Sequence, residues 1–202
     1  MLFKYGGNMM RSFLFLGIVL ALSSSAMAAG YIELRVNPDQ AQSGYLPSTT
    51  ITVELYATGF YEDYPYDTIG YINIAAVQTD NSGIASAPSL HSELLGFGNN
   101  PGTIVNSGGV LISDVAGSYS QGDLDGVTTF PAVLWACQFH IPDLPYSSEI
   151  TISLNGLSLK NVGFNPIDPA YTVSEPLEIH VVPEPATIAL LGLGGLFLRR
   201  RK

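Results

Sequence analysis

One cysteine, three histidines and eight basic residues are all that this 202-residue chain carries of the side chains most used for covalent, metal and polyanion chemistry. With Cys137 alone, no internal disulfide can form. Nucleic-acid affinity depends on neutralising phosphates with Lys and Arg. From Ala29 to Val182 only Arg35 and Lys160 stand against sixteen of the seventeen acidic residues, a balance of −14. That balance excludes nucleic acid as a partner and favours solubility and attraction of cations instead. His91, His140 and His180 have no His or Cys neighbour at zinc-ligand spacing and read as surface residues. A Gly-x-Ser-x-Gly elbow is missing, since Gly117 to Gly122 departs from it by one residue, and no glycine-rich phosphate loop runs into a lysine. These gaps argue against an enzyme, and they call for no cofactor beyond the calcium considered below.

What the sequence does have is alternation. In Thr50 to Tyr56 the residues Ile51, Val53 and Leu55 share one face while Thr50, Thr52 and Glu54 take the other. The same period of two recurs at Ile32, Leu34 and Val36, at Ile150, Ile152 and Leu154, and at Leu177, Ile179 and Val181. The run Val133 to Ile141 reads as a central strand with Trp135, Cys137, Phe139 and Ile141 inward. Turn residues cluster between these segments at Asn37-Pro38-Asp39, Asn99 to Gly102, Ser107-Gly108-Gly109 and Asn155-Gly156. A helical period never lasts beyond about two turns, and Leu90 to Leu95 is the best short-helix candidate. The expectation is an all-β fold, an antiparallel β-sandwich of about eight or nine strands over residues 29–182.

Two loops carry candidate binding chemistry. Asp123 and Asp125, in Gly122-Asp123-Leu124-Asp125-Gly126, have the Asp-x-Asp-Gly form of a calcium loop without the later ligands or closing Glu, so they read first as an acidic turn and only second as a calcium site. Phe60 to Asp67 concentrates Tyr61, Tyr64 and Tyr66 among carboxylates, a mixture that stacks on sugar faces, or that covers one end of a core.

The order of the strand Ile51 to Tyr56, a strand from Tyr71 to Val77, the Leu90 to Leu95 segment, then "VLWACQFHIPD" and "EITISLNG" resembles the cohesin-like sandwich of secreted bacterial proteins. That resemblance, of cohesin-like or jelly-roll type, implies a non-catalytic scaffold or binding role. Cohesins bind dockerin modules through one sheet face, and no binding residue here matches such a face position by position. The alternative within this reading is a carbohydrate- or protein-binding module.

Both ends are greasy. Arg11, the apolar run Phe13 to Leu22 and the small residues ending in Ala26-Met27-Ala28 have the order of a secretory signal peptide over 1–28, cleaved after Ala28. At the other end, residues 183–202 begin with Pro183-Glu184-Pro185, which stops the last strand because proline cannot donate to a ladder. Thirteen uncharged residues, Ala186 to Leu198, then lead to Arg199, Arg200, Arg201 and Lys202. This tail closely resembles the PEP-CTERM sorting signal. The resemblance implies export by the Sec translocon, transient anchoring by a hydrophobic helix, and recognition at Pro183, Glu184 and Pro185 by an exosortase. The four terminal cations should hold their end on the cytoplasmic side. Thirteen helical residues reach only about 20 Å, short of a hydrocarbon core near 30 Å, which suits a temporary anchor with snorkelling arginines. Permanent anchoring is the alternative. The protein is thereby expected at the cell surface or in the extracellular matrix, with polysaccharide or a surface protein as its outside partner.

Residues Met1 to Asn8 precede two further candidate start residues, Met9 and Met10. Synthesis is expected to start at one of these, and N-terminal sequencing of unprocessed precursor checks it: Leu2 to Asn8 in the precursor would refute it.

Overall fold

The alternation becomes two stacked sheets. The computed structural model describes residues 30–60, 68–80, 83–96, 98–119, 126–144, 148–167, 171–174 and 176–182. Their strands, in chain order, are β1 (Tyr31–Val36), β2 (Thr50–Thr58), β3 (Tyr71–Thr79), β4 (Ile84–Leu90), β5 (Thr103–Ser107), β6 (Val110–Ser118), β7 (Ala132–His140), β8 (Ser148–Asn155), β9 (Ser158–Lys160), β10 (Thr172–Val173) and β11 (Leu177–Val181). One sheet runs β10-β1-β2-β7-β4 and the other β11-β8-β3-β6-β5, with β9 also paired to β3. Every pairing is antiparallel except β1 with β10. The strands beyond the expected eight or nine include β9 and β10, too short to show a period of two.

The core lies between the inner faces. Trp135, Cys137, Phe139 and Ile141 are all buried there, as their alternation requires, and β7 sits between β2 and β4 as a central strand. Leu134 is buried beside Trp135 because the register slips: Leu55 faces Trp135 while Tyr56 faces Val133, leaving Leu134 as the extra residue of a β-bulge. The indole N–H of Trp135 donates to the Pro101 carbonyl at 2.8 Å, so this wholly buried ring keeps its polar atom satisfied.

Two sequence expectations are corrected. Asn155-Gly156 is not a turn between strands. Ala76 faces Asn155 and Asn73 faces Ser158, one unbroken register, so β8 and β9 are a single strand interrupted at Gly156. Gly156 has φ +67°, and a β-carbon there would come 2.8 Å from that of Ala75, which is why glycine stands at the break. The Leu90 to Leu95 segment forms no α-helix either. Leu90 ends β4, and only Ser92–Leu94 make a single 3-10 turn, capped by His91, whose Nδ1 accepts from the Glu93 amide at 3.2 Å.

On the outer face of β2, Glu54 is nonetheless buried, at 5% exposure. The Arg35 guanidinium reaches its Oε2 at 3.2 Å and lies 3.3 Å over the Tyr56 ring, while Asn37 donates to Oε1. A buried carboxylate holds its charge at modest cost only with partners of this kind.

Burial pushes the Cys137 thiol up to about 12. A thiol that stays protonated is a poor nucleophile. Iodoacetamide at pH 8 should leave the folded protein unmodified and alkylate it in denaturant, and mass measurement reads both; rapid labelling of native protein would contradict this placement.

Candidate functional site

The strands define two poles. At the upper pole β2 ends, β3 begins, β6 ends and β7 begins; at the lower pole β3, β5 and β7 end and β4, β6 and β8 begin. Nine residues of β3 separate them by roughly 26 Å at about 3.3 Å per residue.

Of the sequence-derived site residues, Tyr61, Tyr64, Tyr66, Asp123, Asp125, Ala26, Ala28, Pro183, Glu184, Pro185, Arg199, Arg200, Arg201 and Lys202 lie outside the described residues. The chain that borders the tyrosine and aspartate loops is described, and it meets at the upper pole. Ile69 and Val127 exchange both backbone hydrogen bonds, at 3.1 and 3.0 Å, and the buried Phe60 ring packs on Phe130 with centroids 5.0 Å apart.

The same pole carries an aromatic surface that the sequence reading missed. Beyond β9 the chain makes a tight turn around Asn161, itself 5% exposed, whose Oδ1 accepts from the Gly163 amide at 2.9 Å and the Asn165 amide at 3.1 Å. The turn lifts Phe164 to 56% exposure, with its ring 5.9 Å from that of Tyr119 and tilted by 46°. Leu95, 53% exposed, bridges to Ser118 next to Tyr119. On the adjoining sheet face Tyr71 stands between Ser118 and Lys160, and the Lys160 ammonium lies 5.4 Å over the Tyr71 ring. The signal available in the sequence was an aromatic residue inside Asn-Val-Gly-Phe-Asn, where turn-forming residues are otherwise the rule.

At the lower pole a cavity of about 760 Å³ opens among Asp80, Asp143, His140, Asn106, Gly108 and Gly109. Asn106 also closes the seam between the two sheets. Its Oδ1 accepts from the Ala85 amide at 2.8 Å and its Nδ2 donates to the Ala85 carbonyl at 3.0 Å, so a side chain pairs with an edge strand in place of backbone. Val182, the last described residue before the tail, lies at this pole too, its amide donating to the Tyr45 carbonyl.

The histidines and the thiol have structural partners or surroundings. His91 caps the 3-10 turn, His140 Nδ1 lies 3.1 Å from the Thr50 hydroxyl, and Cys137 is in the core. His180 faces Glu149 across β8 and β11, at 3.4 Å, and with Glu178 places three ligand-type atoms within 4.8 Å, all exposed. The partners of His180 in this group are carboxylates rather than His or Cys, Glu178 two residues away on β11 and Glu149 across on β8, and only the strand pairing brings Glu149 near. Among the described residues no helix is long and apolar enough to cross a membrane.

Residues 181–202 match the family model described as the PEP-CTERM protein-sorting motif. Among solved structures, the described fold is similar to the third cohesin of ScaC from Acetivibrio cellulolyticus in complex with the ScaB dockerin, at 12% identity and TM-score 0.56, covering 76% of this chain and 99% of that one. It is likewise similar to a type I cohesin of OlpC from Clostridium thermocellum, at 13% identity and TM-score 0.53, with 78% and 97% covered. The sixth cohesin of scaffoldin B from Acetivibrio cellulolyticus has 14% identity, TM-score 0.50, and 76% and 99% covered. At such identities the likeness shows the fold, and a cohesin-like sandwich carrying a PEP-CTERM tail is what the residues suggested. No curated protein matches the chain.

Asn106→Ala removes both bonds to Ala85 and leaves backbone groups of an edge strand unpaired, which should cost about 1–3 kcal/mol of unfolding free energy. Urea denaturation checks this; a midpoint unchanged from wild type would show that the seam closes without the carboxamide.

Proposed function

We propose that this protein is exported and sorted to the cell surface or extracellular matrix, where its sandwich serves as a non-catalytic structural or adhesive module. The observation that carries the reading is the match of residues 181–202 to the PEP-CTERM protein-sorting motif, which begins in the last strand of a cohesin-like sandwich. A PEP-CTERM tail implies export that depends on an exosortase. In this reading residues 1–28 are removed after Ala28 on export through the Sec translocon. Pro183, Glu184 and Pro185 are then recognised by the exosortase while Ala186 to Leu198 hold the tail in the membrane and Arg199 to Lys202 stay inside. Acidic residues outnumber basic ones sixteen to two between Ala29 and Val182, which suits a domain that works in solvent beyond the bilayer.

A second reading, a module that binds a protein partner, is favoured by the fold: the similar cohesins named above were solved in complex with dockerins.

Mass spectrometry of protein recovered from host cells, reading both termini, tests the sorting pathway. A mature chain beginning at Ala29 and ending near Pro183 to Pro185 is expected, together with uncut tail in cells lacking the exosortase. Recovery of the intact chain, both ends included, from the cytosol would overturn it.

A further inference from the structure

We propose that the upper pole carries a binding site for a neutral polysaccharide, with Phe164 and Tyr119 as its stacking platform. The first observation is a conformational mismatch. In the turn Asn161 to Asn165, Phe164 adopts φ +61°, a left-handed conformation unfavourable for a bulky side chain, while the neighbouring Gly163 takes an ordinary φ. At 163 a β-carbon would come 3.1 Å from Asn165 Nδ2 and 3.3 Å from Asn161 Oδ1, so glycine fits there without displacing either carboxamide. At 164 the same turn would accept Asn or Gly with less strain. The ring that stands there instead is 56% exposed, so packing does not account for it.

The surroundings define the ligand. Phe164 and the tilted Tyr119 ring present aromatic faces beside exposed Leu95. The outward rows of the adjoining sheet offer Ser118, Tyr71 and Lys160, then Asn73 and Ser158, which supply hydroxyl, amide and ammonium groups and no carboxylate. Rings with hydroxyl, amide and ammonium donors at their edge suit the apolar faces and hydroxyls of sugars. An acidic polysaccharide is disfavoured by the −14 balance, because Arg35 is engaged by Glu33, Glu54 and Tyr56 and leaves only Lys160. That same balance opposes a second copy of this chain. A stable protein partner would need about 1,000 Å² or more of total buried surface, whereas the strongly exposed apolar groups here are Phe164 and Leu95, the span of one or two sugar rings. A lipid surface is opposed by position, since Val182, from which the tail departs, lies at the other pole from Phe164.

The test uses the protein as recovered from host cells, whatever its termini, so its outcome is separate from that of the sorting pathway. Native gels containing laminarin, hydroxyethylcellulose or galactomannan are compared with gels containing alginate or polygalacturonate. Retardation by at least one neutral polymer is expected, with affinity reduced about tenfold or more in Phe164→Asn and in Tyr119→Ala. Phe164→Asn should also melt at the same or a higher temperature than wild type, because Asn relieves the left-handed strain, which separates lost binding from lost folding. Unchanged mobility in every neutral polymer, retardation by the acidic polymers alone, or full binding by Phe164→Asn would each overturn the proposal. Retention on glycan-free envelope protein, abolished in Phe164→Asn and with no glycan retention, would assign the surface to a protein partner and overturn it equally.

Discussion

Burial of one face of each strand against the other sheet is the constraint on which the rest depends. Trp135, Cys137 and Phe139 on β7 project into that layer, alongside Ile51, Val53 and Leu55 of β2, and from the opposite sheet come Ile72, Ile74 and Ile112. A shift of one residue in any central pairing would turn these side chains to solvent. Where the sequence sets two large residues in succession, at Leu134 and Trp135, a bulge absorbs the extra one and the alternation resumes. Because the register is held so firmly, each loop is assigned to a pole, and the poles acquire different chemistry.

The lower pole gathers Asp80, Asp143 and the end of β11, and hands the chain to its sorting tail. The upper pole gathers Tyr71, Tyr119, Phe164 and the chain bordering the tyrosine-rich and aspartate-rich loops. Charge follows a similar division along the sequence. Cations are concentrated in the last four residues and anions between Ala29 and Val182, so the two signs of charge fall to separate segments. Arg35, one of two cations between Ala29 and Val182, is spent inside the fold on Glu54 and Tyr56.

Period-two segments were legible from the residues alone, because a half-buried strand imposes its signature on every second position: Ile51, Val53 and Leu55, or Trp135, Cys137 and Phe139. The tail was legible because three features occur in order, Pro183-Glu184-Pro185, an apolar run and a cluster of cations. The interruption of one strand at Gly156 was not, since Asn-Gly has the same letters in a hairpin and in a break, and only the register against β3 separates them. Phe164 was hidden for a related reason. Its exposure and its strain come from the Asn161 carboxamide holding the turn, and no pattern of hydrophobicity records which backbone amides a side chain accepts from. The Glu149, Glu178 and His180 group joins residues about thirty positions apart, so it too required the pairing of β8 with β11.

The central claim is that the sandwich folds beyond the cytoplasmic membrane. Asn165 is exposed beside Phe164, and the native thiol is sealed in the core, so Asn165→Cys introduces one reactive group at the upper pole. Spheroplasts with an intact cytoplasmic membrane, treated with a maleimide that cannot cross it, give the direct measurement. The account predicts that the Asn165→Cys protein is modified before lysis; modification only after lysis would contradict it.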